Sequence, residues 1–191
     1  MANILASDHL IYRAIEHWDA PMLAQLHQDT QAHVTSTPFL PTPQGSAIAQ
    51  TDLANFERCL LAAMICIKAP DGQSPDNAFP IGIISLKDPN LPGGRHLRSA
   101  KLGINLLPEY QNQGYGTEAV RWCLEWGFKQ AGLHKIGTYV YEHNVPSMKL
   151  CEKVGFKLDG RMRDEVWFDG RFWDDLAYSM LEDEWKDRCG D

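Results

Sequence analysis

The residues best placed to do chemistry lie in one polar turn, Gln111, Asn112, Gln113, Gly114, Tyr115, Gly116 and Thr117, between a strand-like run and an amphipathic run. Gly114 and Gly116 remove side chains where the first N–H groups of a helix have no intrahelical partner. Those donors and the positive helix end together suit a phosphate or diphosphate held against bare backbone. The spacing is not that of a Walker loop, because no Lys follows Gly116. It narrowly misses a dinucleotide fingerprint, since Ala119 stands at the third glycine position and no second βαβ half follows. A dinucleotide loop, another phosphate cradle and a glycine turn that binds nothing all remain open on the glycines alone.

The elements that must position this turn follow from periodicity. Leu10 to Ile15 reads as a short strand, and Asp19-Ala-Pro21 opens a helix to about Thr30. Ser46 to Leu61 reads as one or two helices, and Ala62 to Lys68 and Ile81 to Leu86 as apolar strands. Ser99 to Leu107 alternates, with Ala100, Leu102, Ile104 and Leu106 on one face and Lys101, Gly103 and Asn105 on the other. Gly103 inside that strand marks a bulge, a close backbone approach or a packing glycine. Val120, Leu124, Phe128 and Ala131 repeat at helical spacing, with Gly132 as terminator. Lys135 to Tyr141 is a strand, Asn144-Val-Pro146-Ser147 starts a short helix, and Gly155 ends it. Arg161 to Trp167 and Phe172 to Leu181 flank Asp169-Gly170, a two-residue hairpin signal. Pro- and Gly-rich loops lie at 37–45, 70–77 and 88–94. The order predicts a mixed α/β sheet with helices on both faces.

Gln111-x-x-Gly114-x-Gly116 resembles the Q/R-x-x-G-x-G/A motif of the general-control-related N-acetyltransferase (GNAT) superfamily. Asn144-x-x-Ser147 leading to Glu152-Lys153-x-Gly155-Phe156 is similar to a second motif of that superfamily. The span from Gly160-x-x-Arg163 to Phe168-Asp-Gly170-x-x-x-Asp174 looks like the closing hairpin of the branch that acetylates ribosomal-protein N-termini. The resemblance is specific from about Ala100 to Glu184; over Leu10 to Leu61 it is only an order of elements. It implies one N-acetyltransferase domain over residues 1–191, with a mostly antiparallel twisted sheet and a V-shaped splay between its two central strands. It implies acetyl-coenzyme A as co-substrate, with its diphosphate on the N–H groups of Gln113, Gly114, Tyr115, Gly116 and Thr117 beside Gln111. Its pantetheine arm would pair near Ile104 and Leu106, with Asn144 orienting the arm or capping its helix.

The implied reaction is direct acetyl transfer to a primary amine of a protein N-terminus or a small molecule. The amine must be neutral, the carbonyl polarised, the reactants aligned and the departing thiolate protonated. Many members place a Tyr acid seven residues after the Asn; here Cys151 stands there, and Ser147 is the rival acid. Cys151 also reads as core filling, and Ser147 as a helix cap. Glu109 and Glu142 are the candidate bases, each also readable as a surface carboxylate. The alternative function is a non-catalytic acyl-coenzyme A-binding or interaction module on the same fold. A Cys/His hydrolase using Cys151 is a weaker third, because no His stands at a recognisable spacing from it.

Near the hairpin, Asp164, Glu165, Asp169, Asp174 and Asp175 mix with Trp167, Phe172, Trp173 and Tyr178. That mixture reads as a cradle for a cationic amine or, more simply, as aromatics inward and charges outward. Five of the six Trp follow residue 121 and are expected to pack the main core against the late helices. His134 and His143 are open to a catalytic reading but read more simply as solvated surface.

The 191 residues hold 18 Lys and Arg against 25 Asp and Glu, a net charge of −7. That balance argues against nucleic acid and mildly favours a cationic acceptor. Five scattered cysteines without a C-x-x-C pair argue against a zinc site and for free thiols in a reducing compartment. With no apolar run of membrane length and no basic, apolar leader from Met1 to Ser7, the expectation is a cytoplasmic protein with no metal and no membrane partner. Acceptor identity and oligomeric state are not legible.

Overall fold

The computed structural model describes residues 3–28, 37, 40, 42, 47–68, 78–88 and 94–190. Apart from Thr37, Leu40, Thr42, Asp88 and Gly94, the three Pro- and Gly-rich loops lie outside the described residues. The elements are β1 (Leu10–Arg13), α1 (Ala20–Gln28), α2 (Ala47–Phe56), β2 (Leu61–Ile67), β3 (Phe79–Lys87), β4 (Ser99–Leu106), α3 (Tyr115–Glu125), β5 (Lys135–Tyr141), α4 (Val145–Val154), β6 (Lys157–Phe168), β7 (Arg171–Leu181) and α5 (Glu182–Cys189). The seven strands form one sheet in the order β1-β2-β3-β4-β5-β7-β6. All neighbours are antiparallel except β4 and β5.

Alternation decides which helix covers which face. Ile84, Leu86, Ala100, Leu102 and Ile136 pack with Val120, Cys123 and Leu124 of α3 in the main core. On the other face Ile83 meets Leu23 and Leu26 of α1 and Leu53 and Phe56 of α2. The expected helices on both faces are therefore present.

β1 is shorter than expected because the chain turns through a 3₁₀ segment at His17–Asp19 before α1. Buried Asp19 holds that turn, accepting both guanidinium N–H groups of Arg13 at 2.7 Å and the Glu16 N–H at 2.9 Å. α3 runs on through a π-helical turn, Trp126–Gln130. The Asp169-Gly170 turn is a two-residue hairpin with both φ values positive, 51° and 77°.

Several expectations are corrected. β4 carries no bulge at Gly103, which pairs in register with Ser85; the irregularity lies in β3, where Ile65 faces Gly82 and Cys66 faces Pro80. β6 begins at Lys157, earlier than its alternation suggests, because register shifts near Asp159 and between Met162 and Val166 break the period. α5 has no counterpart in the sequence reading. It buries only Trp185, and Glu184 caps it by accepting the Leu181 N–H at 2.9 Å.

The aromatics also sort differently. Trp122 and Trp185 are buried, but Trp167 and Phe172 at the hairpin are 56% and 54% exposed and stack edge-on, centroids 4.9 Å apart. On the same hairpin Asp175 is buried, so the aromatics-inward, charges-outward reading fails at both ends. None of the five cysteines is in a disulfide. Among the described residues no helix is long and apolar enough to cross a membrane, and no group of His, Cys, Asp and Glu gathers as a metal site.

Candidate active site

β4 and β5 pair over only three rungs, Ser99 with Lys135, Ala100 with Ile136 and Lys101 with Gly137. Beyond Lys101 they part. β4 stays bonded to β3 as far as Leu106, and β5 stays bonded to β7 as far as Tyr141, so the facing edges open into a cleft. The cleft encloses about 1330 Å³ and runs from α1 and α2 through the fork to the start of α3.

The hydrogen-bond pattern shows which backbone groups address it. Leu107 N–H donates to Ile81 O at 2.9 Å, so by alternation the odd positions of β4 point to β3. Leu102, Ile104 and Leu106 therefore turn their N–H and C=O groups toward the opening. Leu106 O is already engaged, accepting the Gln111 side-chain amide at 2.9 Å. Ile104 and the Leu106 N–H are left to meet an extended ligand edge-on.

Above the fork, Asn112 and Gly114 take left-handed conformations at φ 58° and 95°. Gly114 is the N-cap of α3 and makes no side-chain cap bond. The first described N–H of this helix to find a carbonyl is that of Glu118, on Gly114 O at 3.1 Å. The preceding N–H groups stand at the positive end of α3 and face the cleft and its neighbour. That neighbour is a hollow of about 720 Å³ sharing Gly114, Thr117 and Lys153 with the cleft. Lys149 and Lys153 of α4, one helical turn apart, line this end, and Arg121 lines the hollow. Sequence reasoning missed these cations, although their i, i+4 spacing after Ser147 was a usable signal.

The expected cofactor residues divide by role. Gly114, Gly116, Thr117, Gln111, Ile104, Leu106 and Asn144 line the cleft. The Gln113 side-chain amide instead binds the Glu109 carbonyl, and Tyr115 packs against the main core, so these two offer only backbone. Asn144 caps α4 by accepting the Ser147 N–H at 3.2 Å.

The expected catalytic residues divide as well. Ser147 lines the cleft, half-buried. Cys151 also borders it but is 6% exposed within the main core, and burial pushes its thiol up to about 12. Neither expected base reaches the cleft lining. Glu109 is exposed on the turn, and Glu142 accepts a hydrogen bond from Arg161 at 2.9 Å.

The acidic hairpin cluster does not form the cationic cradle. Asp174 pairs with Arg161 at 2.7 Å and accepts the Asp164 N–H at 3.0 Å. Asp175 is buried between strands, its carboxyl pushed up first by burial and then by Glu165. His134 is exposed as expected, but His143 is not solvated surface: it stacks on Phe168 and meets Trp173 edge-on, centroids 4.7 and 5.3 Å away, and lines the cleft.

Glu118 ties the chain's first residues to this site. It accepts from the Ser7 hydroxyl at 2.6 Å and the His9 N–H at 2.7 Å, and meets the His9 ring at 3.0 Å. Burial pushes the Glu118 carboxyl up, but the Ser7 and His9 hydrogen bonds together outweigh it and leave it below the ordinary value of 4.5. A carboxyl lowered on folding adds stability that is full above its unfolded value and is lost as pH falls through the folded one. Thermal melts of the Glu118→Gln variant should therefore show less stability than the parent above pH 4.5, the gap closing as pH falls below it. A gap that stays constant from neutral to acid pH would deny the clasp.

The fold and the site define a class. The family model for the acetyltransferase (GNAT) domain matches residues 9–157, and the chain belongs to this family. Among named relatives, YnaD of Bacillus subtilis, an uncharacterised N-acetyltransferase, is 37% identical over 85 residues, covering 44% of this chain and 50% of that protein. The alignment thus spans about half the length of that relative. YdaF of the same organism, named provisionally as a ribosomal N-acetyltransferase, is 26% identical over 97% of this chain and 98% of its own. The spermidine N-acetyltransferase of Vibrio cholerae, solved with coenzyme A and spermine, superposes with a TM-score of 0.76 at 21% identity, covering 93% of this chain and 98% of that one. That likeness carries the fold.

Proposed function

We propose that this chain is an acetyl-coenzyme A-dependent N-acetyltransferase that moves the acetyl group directly to a primary amine. One observation carries the reading: a single cleft joins the splayed edges of β4 and β5 to the uncapped start of α3. The N–H groups from Gln113 to Thr117, aided by Lys149 and Lys153, suit a diphosphate. Ile104 and the Leu106 N–H suit an amide-bearing arm laid along β4 like an extra strand, which delivers a thioester to the fork.

In the transfer, the amine nitrogen forms a bond to the thioester carbon while the carbon–sulfur bond breaks. The thiolate gains a proton and the new amide loses one. The chain's contribution is chiefly alignment, which can supply about 7–11 kcal/mol of such a barrier. Ser147 is the better acid candidate. The distinction is one of access rather than acidity: Ser147 lines the cleft half-buried, where its hydroxyl can pass a proton on from water, while Cys151 is 6% exposed within the main core with its thiol pushed up by burial. Ser147→Ala should lower kcat roughly tenfold or more, while Cys151→Ala should change it by less than about threefold. A large loss of kcat in Cys151→Ala with unchanged acetyl-coenzyme A affinity would reverse this assignment.

The experiment that tests the function is an amine-acceptor panel read by release of free thiol. A second reading, a non-catalytic acyl-coenzyme A-binding module, is favoured by Glu109 and Glu142 both lying outside the cleft lining. Calorimetric binding of acetyl-coenzyme A with no thiol released by any amine would select it.

A further inference from the structure

The acceptor side of the fork carries positive charge, against the sign of the whole chain. Ile83, Ser85 and Lys87 of β3 share a face with Lys101, Gly103 and Asn105 of β4, the face that α1 and α2 cover. Lys87 and Lys101 are direct cross-strand partners there, and both line the cleft. Like charges placed directly opposite destabilise a sheet. Among the described residues neither lysine is in an ion pair. Lys101 rests over the Tyr139 ring at 4.1 Å.

Asp159 and Asp175 on the neighbouring strands feel the charge of Lys101, but neither is ion-paired with it. Asp159 is bound by Lys135 at 2.6 Å and by the Ser179 hydroxyl at 2.9 Å. Asp174 is held by Arg161, and Asp175 is buried. Among the described cleft-lining residues the one carboxylate is Asp52 of α2, which has a contact of its own.

Resting on the acetyltransferase reading, we propose that the acceptor is a small amine carrying a carboxylate, and that Lys87 and Lys101 bind this carboxylate while the amine reaches the fork beside Gly103 and Asn105. A charge-assisted pair with an ammonium group holds the carboxylate at this end of the cleft. The same positive field favours the neutral form of the incoming amine, the form that must attack. It therefore assists deprotonation where neither expected carboxylate base reaches the cleft lining. A diamine or polyamine would bring a second cation to the same place.

The test uses matched acceptors of equal length: a linear five-carbon ω-amino acid, its amide and the corresponding diamine, with common α-amino acids and a short acidic peptide as further arms. The amino acids should be preferred over amide and diamine by about tenfold or more in kcat/KM, through KM. Lys101→Met should erase that preference, Lys101→Arg should keep it and Lys101→Glu should invert it. Acetyl-coenzyme A affinity should stay within about twofold in all three, since the carboxylate subsite stands apart from the diphosphate end. Faster turnover of the peptide than of the free amino acids would move the carboxylate onto a protein acceptor and overturn the small-molecule assignment. Equal turnover of acid and amide, preference for the diamine, or no turnover of the series by protein that binds acetyl-coenzyme A overturns the proposal. Failure to bind acetyl-coenzyme A overturns the acetyltransferase reading instead.

Discussion

Gly114→Trp and Gly116→Trp should each remove measurable acetyl-coenzyme A binding in calorimetry, a loss of at least about 100-fold. The two substitutions act by different routes. A side chain at Gly114 has open space around its Cβ but must adopt φ 95°, which costs a non-glycine residue roughly 1–2 kcal/mol. It also stands a bulky group before the free N–H groups of α3. A Cβ at Gly116 needs no strained backbone and meets Leu106 and Leu150 at 3.6 and 3.8 Å, so a larger side chain there fills the throat between β4 and α4. Each charge-assisted hydrogen bond lost contributes roughly 1.5–3 kcal/mol, and two of them suffice for the expected effect. Unchanged affinity in both variants would mean that the diphosphate lies elsewhere.

Gly82→Ala should be the most damaging single-methyl change in the sheet. Its Cβ would stand 2.3 Å from the Asn105 carbonyl oxygen and 2.6 Å from a Leu106 methyl carbon. The first of these is backbone and cannot rotate aside. β4 must shift away from β3, at a cost of about 3 kcal/mol. For a chain of this length that lowers Tm by roughly 10 °C. Because Asn105 and Leu106 form one wall of the cleft, KM for acetyl-coenzyme A should rise in the same variant. A normal Tm and a normal KM together would show that the two strands are not held this closely. By contrast, Gly114 and Gly116 face space or ordinary contacts, so their variants should lose binding with less loss of Tm.

The positive fork tempers what net charge can say. A balance of −7 suggested a cationic acceptor, yet the acids that produce it are spent on Arg161, Lys135 and Arg13 or stand in solvent. Local field at a cleft depends on which charges remain unpaired there, and pairing is a property of register. Lys87 and Lys101 are fourteen positions apart and carry no mutual signal until β3 and β4 align. The hairpin acids show the converse. Asp174 and Asp175 looked equivalent in sequence, and one became an exposed ion pair while the other was buried.

Cys151 and Ser147 divide for a related reason. Both sit on α4 at positions compatible with an acid. Their spacing of four residues places them on neighbouring parts of one helix face, and only the packing of that face against the main core buries one and leaves the other half-exposed. α5 escaped notice because its residues are nearly all charged and a single tryptophan anchors it. Its helical pattern has no apolar stripe to reveal it.

What the amino-acid order alone determined were the features set by neighbours a few residues apart: the alternation of β4, the glycine turn running into α3, the Asn144 cap, the Gly155 stop and the Asp169-Gly170 hairpin. Backbone preferences and side-chain periods act over such short spans, so they are written locally. Tertiary structure alone decided where β4 leaves β5, which carbonyl Gln111 occupies, which acids are neutralised and which lysines face the fork. Each of these depends on strands brought together from distant parts of the chain, and no local period encodes that register.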